Sequence, residues 1–206
     1  PSASAALTAP SQAEARPVAA QILEQLRLLH SRGVVYADLK PENVVVEPGG
    51  RARLVDFGLC SLGGPARRGP SAVSELLRRV EEAEPAPSAG GDDGAPRFWG
   101  TAEYAAPEVI QGGAAALSPA SDFWSLGVLL YELLYGETPF RAPTVEQTFH
   151  NIRMRGVHFP LEADGEGRVS RDAQQLIRGL LRHRPQHRLG AGGGEEIARH
   201  GGLSGP

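Results

Sequence analysis

Four side chains in this sequence combine types and spacing that can do chemistry. Asp38, Lys40 and Asn43 share one octapeptide, Tyr36-Ala37-Asp38-Leu39-Lys40-Pro41-Glu42-Asn43, and Asp56 opens Asp56-Phe57-Gly58 thirteen residues after Asn43. Carboxylate and amide oxygens are the hard donors that divalent cations take. A positioned carboxylate can also receive a proton from a hydroxyl. Lys40 is the only lysine in the chain, so no mechanism here can draw on a second one. Either motif alone says little, because Asp-Leu-Lys-Pro is ordinarily a capped turn and Asp-Phe-Gly a strand end. Two more strings follow in order: Gly100-Thr101-Ala102-Glu103-Tyr104-Ala105-Ala106-Pro107-Glu108 and Asp122-Phe123-Trp124-Ser125-Leu126-Gly127. Four such strings in one order, each beside a fitting element, form a specific pattern.

The elements that must hold these residues are legible from periodicity. Val18, Ile22, Leu26 and Leu29, with Ala19 and Leu23, lie on one stripe of a helix from Glu14 to about Ser31, with Pro17 in its first turn and Gly33 as its stop. Val44-Val45-Val46 and Arg53-Leu54-Val55 flank Glu47-Pro48-Gly49-Gly50, a hairpin signal. Ser121–Tyr135 is apolar almost all round and predicts a buried central helix ended by Gly136. Amphipathic helices are expected at Val145–Arg155 and Asp172–Arg182, with a loop at Gly190–Gly194 and a short helix at Glu195–His200. The segment 61–96 is rich in Gly, Pro, Ala and acidic residues. It reads as a solvated insertion with one short helix at Val73, Leu76, Leu77 and Val80. Residues 1–13 read as a frayed end. His183 and His187 are four apart, but Pro185 breaks the helix that would align them, so both are expected at the surface.

Composition sets outer limits. The chain has 206 residues, 41% hydrophobic and 22% charged, enough for a packed core. A net charge of −3 gives no basic field for nucleic acid. No apolar run is long enough to span a bilayer. The single cysteine, Cys60, excludes an internal disulfide and fits a reducing, intracellular setting, cytoplasmic or nuclear. Cys60 itself reads as a small loop residue.

The four strings together resemble the eukaryotic protein kinases, and in this family only the C-terminal, mostly helical lobe. The fold expected is mainly α, with a small β-hairpin carrying the catalytic and metal-binding loops, over residues 14–206. Tyr36 in place of the usual catalytic-loop His, Gly-Thr-x-Glu-Tyr before Ala-Pro-Glu, and Arg188-Leu189-Gly190 before a final helix resemble the AGC group. The resemblance implies ATP and Mg²⁺ as cofactors and Ser/Thr of protein substrates as acceptors. Asp38 would take the acceptor's proton and Lys40 would reach the transferring phosphate, with Thr101 in the loop cradling the acceptor. Lys40, Glu42, Asn43, Val45 and Asp56 would lie on the nucleotide side. Asn43 and Asp56 would be metal ligands, Gly58 the turn after them, and Val45 the floor under the adenine. Tyr36, Phe57, Gly58, Glu108, Asp122 and Arg188 would be structural, with Glu108 paired to Arg188 and Asp122 accepting from the catalytic-loop backbone. Glu42, Glu103 and Glu132 would bind an arginine before the acceptor, and Phe98, Ala102 and Ala105 a hydrophobic residue after it.

The sequence also departs from that family. Ala37 stands where many kinases carry the Arg that binds an activation-loop phosphate, and Arg97 stands where the AGC group carries the phosphorylated Thr. Receptor and acceptor are missing together, which implies a loop ordered without phosphorylation at that site. No Gly-rich loop precedes residue 14, and no lysine remains for the upper lobe's nucleotide clamp. The reading is therefore a partial Ser/Thr kinase domain. A scaffold-like protein impaired in catalysis stays open as the alternative. Oligomeric state is not legible.

Overall fold

The computed structural model describes residues 12–62, 102–160 and 169–204. The expected frayed end and the insertion fall largely outside these residues. Helix α1, Gln12–Ser31, buries Ala15, Ala19, Ile22, Leu23 and Leu26 and ends at Gly33, whose φ of 76° is left-handed. Pro17 is the sixth residue of this helix, not part of its first turn, because the helix begins earlier than the stripe of large apolar residues showed. Its missing N–H leaves the carbonyl of Ala13 without the usual i→i−4 bond.

After α1 the chain forms strand β1 (Val34–Val35), the hairpin strands β2 (Val44–Val46) and β3 (Ala52–Leu54), and strand β4 (Ser61–Leu62). Strand β2 pairs antiparallel with β3, Val45 opposite Arg53. A second antiparallel pair joins Val34 to Leu62 and Val35 to Ser61, so the first two residues assigned to the insertion are sheet. Both pairs bracket the candidate catalytic residues. The free edge of β3 does not face water. Gln21 donates to the Gly50 carbonyl and accepts from Ala52 N–H at 3.0 and 3.1 Å, and Gln25 does the same with the Ala52 carbonyl and Leu54 N–H at 3.0 and 3.0 Å. Two glutamines one helical turn apart thus substitute for a neighbouring strand and fix the hairpin to α1.

The rest is helical: α2 (Pro107–Gly112), α3 (Pro119–Tyr135), α4 (Val145–Met154), α5 (Arg171–Leu180), α6 (Glu195–Ala198) and α7 (Gly201–Ser204). Helix α3 starts at a capping box between Ser118 and Ser121, with Pro119 at its first turn, and ends at Gly136 in the left-handed region. Twelve of its 17 residues are buried, as a helix apolar on all sides requires. It packs on α1 and on α5, where Gly127 lets the helices approach: a Cβ there would sit 2.8 Å from Leu180 Cβ. Each large side chain buried in this core contributes about 1.5–3 kcal/mol. Arg188 is almost fully buried, its guanidinium 5.1 Å from the Trp124 ring. The architecture is mainly α with a small hairpin, the expected class. Among the described residues no helix is long and apolar enough to cross a membrane.

Candidate active site

The catalytic-loop string leaves β1 in an unusual conformation. Ala37 has φ of 68° and Asp56 φ of 58°, the only non-glycine residues with positive φ among those described. Such geometry costs roughly 1–3 kcal/mol per residue and persists where surrounding contacts impose it. For Ala37 the contacts are visible. Asp122, 1% exposed on α3, accepts Tyr36 N–H and Ala37 N–H, each at 2.8 Å, one on each carboxylate oxygen. His30, in the last turn of α1, sets its Nε2 2.7 Å from Asp122 Oδ2. A buried carboxylate with three partners is satisfied, and it pins two consecutive amides of the loop.

Downstream, the loop brings its own side chains together. The Asp38 carboxylate accepts Lys40 Nζ at 2.9 and 3.1 Å and Asn43 Nδ2 at 2.8 Å. Asn43 Nδ2 also reaches the Asp38 carbonyl at 2.9 Å. With its amide nitrogen so committed, Asn43 has its side-chain oxygen left to ligate. The Asn43 carbonyl accepts Val55 N–H at 3.0 Å, which brings Asp56 alongside. Tyr36 ties the two loops a second time. Its hydroxyl donates to the Val55 carbonyl and its ring meets Phe57 edge-on at 5.5 Å. Asp56 is exposed, and its Oδ1 accepts Gly58 N–H at 3.1 Å. Val45 is 45% exposed on the hairpin.

Burial, then the charges of Cys60, Asp38, Asp56 and Asp122, pushes the Tyr36 hydroxyl well above its ordinary value, so it stays a neutral donor. Burial, with Asp122, Asp56 and Asp38, pushes the Cys60 thiol up to about 12.

Around Tyr104 two carboxylates are held by hydroxyls. Glu132, on α3, accepts the Tyr104 hydroxyl, and Glu103 accepts the Thr138 hydroxyl at 2.5 Å. The Glu132 carboxyl is raised by burial; the Tyr104 bond lowers it, Glu42 and Glu103 raise it, and Arg141 lowers it. Glu103 precedes Tyr104 in the chain, so the Tyr104 hydroxyl bond ties its turn to Glu132, and the charges of Glu42 and Glu103 act on the Glu132 carboxyl. Ala105 is 8% exposed and Ala102 half-buried in the same turn. Phe98, Thr101 and Arg97 lie outside the described residues.

Arg188 donates to both oxygens of Glu108 at 2.7 and 2.9 Å and to the carbonyls of Arg182, Ala120 and His183 at 2.9, 2.7 and 3.3 Å. This ties α2 to the last helices. One expectation needs correcting here. His183 is half-buried rather than free at the surface: its ring meets Trp124 edge-on at 5.9 Å, and its Nε2 is shut from solvent with no hydrogen-bond partner among the described residues. The turn that brings Arg188 under Trp124 carries His183 inward too, while His187 is exposed. Sequence reasoning missed His30, Thr138 and Arg141. His30 carries only a weak signal, a basic residue at a helix C-terminus. Thr138 and Arg141 are defined by contacts across the fold.

The protein kinase domain model matches residues 4–200. The chain is 40% identical over 189 residues to Phototropin-2 of Oryza sativa subsp. japonica, covering 90% of this chain and 20% of that protein. It is 39% identical over 182 residues to the serine/threonine-protein kinase sck2 of Schizosaccharomyces pombe, 88% and 23% of the two chains. Protein kinase PINOID of the same rice is 40% identical over 198 residues, 86% and 40%. The chain therefore belongs to the protein kinase family, whose members use ATP and typically Mg²⁺. It spans about a fifth of the length of the phototropins it matches.

Proposed function

We propose that this chain supplies the lower, acceptor-binding half of an AGC-type serine/threonine protein kinase site, transferring the γ-phosphate of ATP to Ser or Thr in proteins with an arginine before the acceptor. The observation that carries the reading is the Asp38 carboxylate, 8% exposed and held by Lys40 and Asn43. In this reading Asp38 orients an acceptor hydroxyl and takes its proton. Lys40, already beside it, offers a cation for the transferring phosphate. Asn43 and Asp56, on loops joined by the Val55 N–H to Asn43 carbonyl bond, offer the hard oxygen donors that Mg²⁺ takes. Among the described residues no group of three His, Cys, Asp or Glu side chains forms a metal site by itself, so phosphate oxygens would complete the coordination. When bound, the ion would neutralise phosphate charge. Val45 and Glu42 belong to the nucleotide side of this reading. Thr101, with Phe98, Ala102 and Ala105, belongs to the acceptor side of this reading, and Glu42, Glu103 and Glu132 to the arginine.

The test separates ground-state from transition-state roles in the full-length protein. Asp56→Ala should remove Mg²⁺-dependent nucleotide binding. Asp38→Ala should leave nucleotide affinity within about twofold while kcat falls by about 10²–10⁴. Equal losses of nucleotide affinity in both variants would overturn the assignment. Unchanged phosphate transfer in Asp38→Ala would favour the scaffold alternative.

A further inference from the structure

The groove proposed above to bind the substrate arginine has a cation beside it, at Glu103. Arg141 lies in the loop between α3 and α4, its Nε 4.0 Å from Glu103 Oε1 and its side chain 66% exposed. The backbone around it is anchored. Thr138 donates its hydroxyl to Glu103, Phe140 stacks on Trp124 at 5.5 Å, Asn151 donates to the Phe140 carbonyl at 3.2 Å, and Ala142 N–H donates to Thr148 at 3.2 Å. The start of the side chain is thus fixed, while its guanidinium is in water and beyond hydrogen-bond distance of its partner. At 4.0 Å the pair is an attraction without a hydrogen bond, weak enough to be displaced. One Glu103 oxygen is bonded to Thr138, and the other is the one that Arg141 faces.

We propose that Arg141 is a specificity-determining residue that occupies Glu103 in place of a second substrate arginine, so that the groove selects acceptors with one arginine over those with two. The proposal rests on the reading that Glu42 and Glu132 receive the first arginine. A second guanidinium approaching Glu103 must displace Arg141 or meet it as a like charge. The cation also reaches further than Glu103, since it lowers the proton affinity of Glu132. Among the described residues Glu42 has no hydrogen-bond or ion-pair partner that would compete for the first arginine.

The experiment uses the full-length protein and three fluorescent serine peptides that differ only in carrying no, one or two arginines before the serine. Affinities are read by anisotropy, and kcat/KM by phosphate transfer to the same peptides. The natural protein should bind the one-arginine peptide more tightly than the arginine-free peptide and gain less than about twofold from the second arginine. Arg141→Ala should tighten the two-arginine peptide by about three- to fivefold, the worth of an exposed charge pair, and change the one-arginine peptide, which it reaches only through Glu132, by less than about twofold. Arg141→Lys should keep the natural selectivity, and Glu103→Gln added to Arg141→Ala should erase the gain. Equal effects of Arg141→Ala on both peptides, or none on the two-arginine peptide, would overturn the proposal while leaving the groove reading intact. No advantage of one arginine over none would overturn both. Because Arg141 is exposed, unchanged melting of the variants checks that folding plays no part.

Discussion

Asp122 and Ala37 meet where the catalytic loop takes its left-handed turn: Asp122 Oδ1 accepts the Ala37 amide at 2.8 Å, and Ala37 has φ of 68°. A residue of the central helix therefore holds a strained residue of the loop, so the two sites should respond in opposite directions to simple changes. Ala37→Gly relieves a left-handed penalty of about 1 kcal/mol and should be neutral to stabilising, whereas Ala37→Val should be clearly destabilising. Asp122→Ala leaves the buried Tyr36 amide and the half-buried Ala37 amide without an acceptor and should cost about 3 kcal/mol or more. Chemical denaturation of the three variants checks the ordering. Ala37→Gly coming out the least stable would show that the turn is not imposed by Asp122.

The same Ala37 bears on regulation. It offers no guanidinium to a phosphate, and on the AGC-type reading proposed above Arg97 stands at the usual loop phosphosite. Phosphatase treatment of the active full-length protein should change kcat/KM by less than about twofold. A large drop would place the ordering phosphate elsewhere, for instance on a serine of segment 61–96.

Gly127 is a packing position. Alanine there would bring its Cβ to 2.8 Å from Leu180 Cβ and 3.0 Å from Leu181 Cδ2. Helix α3 cannot retreat, because α1 packs against it as well. Gly127→Ala should therefore destabilise by about 1–3 kcal/mol, despite alanine's better helix propensity. The readout is the denaturation midpoint; a stabilised variant would mean that the α3–α5 contact is looser than described.

On the proposed reading, Glu132 links pH to substrate choice. Burial raises its carboxyl above the ordinary value, so in the folded protein it takes up a proton at a higher pH than a free glutamate does. The sign follows. Because the folded state holds this proton more tightly than the unfolded state, ionisation of Glu132 opposes folding, and its contribution to stability falls as pH rises between the two values. Affinity for an arginine peptide moves the other way, falling as pH drops through the raised value. Glu132→Gln keeps an acceptor for Tyr104. It should leave the melting temperature at neutral pH unchanged or higher, lower affinity for a one-arginine peptide, and abolish the pH dependence assigned to this group. A variant that melts much lower would make Glu132 structural instead.

Much of this protein was determined by local sequence. The stripe in α1, the uninterrupted apolar run of α3 and the Gly-rich turn of the hairpin specify their elements because periodicity and turn chemistry act within a few residues. Asp38, Lys40, Asn43 and Asp56 could be named for the same reason, each being part of a short string. The tertiary structure decided what lies at long range. The reach of α1 back to Gln12, the strand pairing of Val35 with Ser61, and the two glutamines on the β3 edge depend on partners tens of residues away. So do His30 behind Asp122, His183 drawn beneath Trp124, and Arg141 set against Glu103. No periodicity marks such residues, because what selects them is a buried charge or an open backbone edge that exists only after the helices have packed.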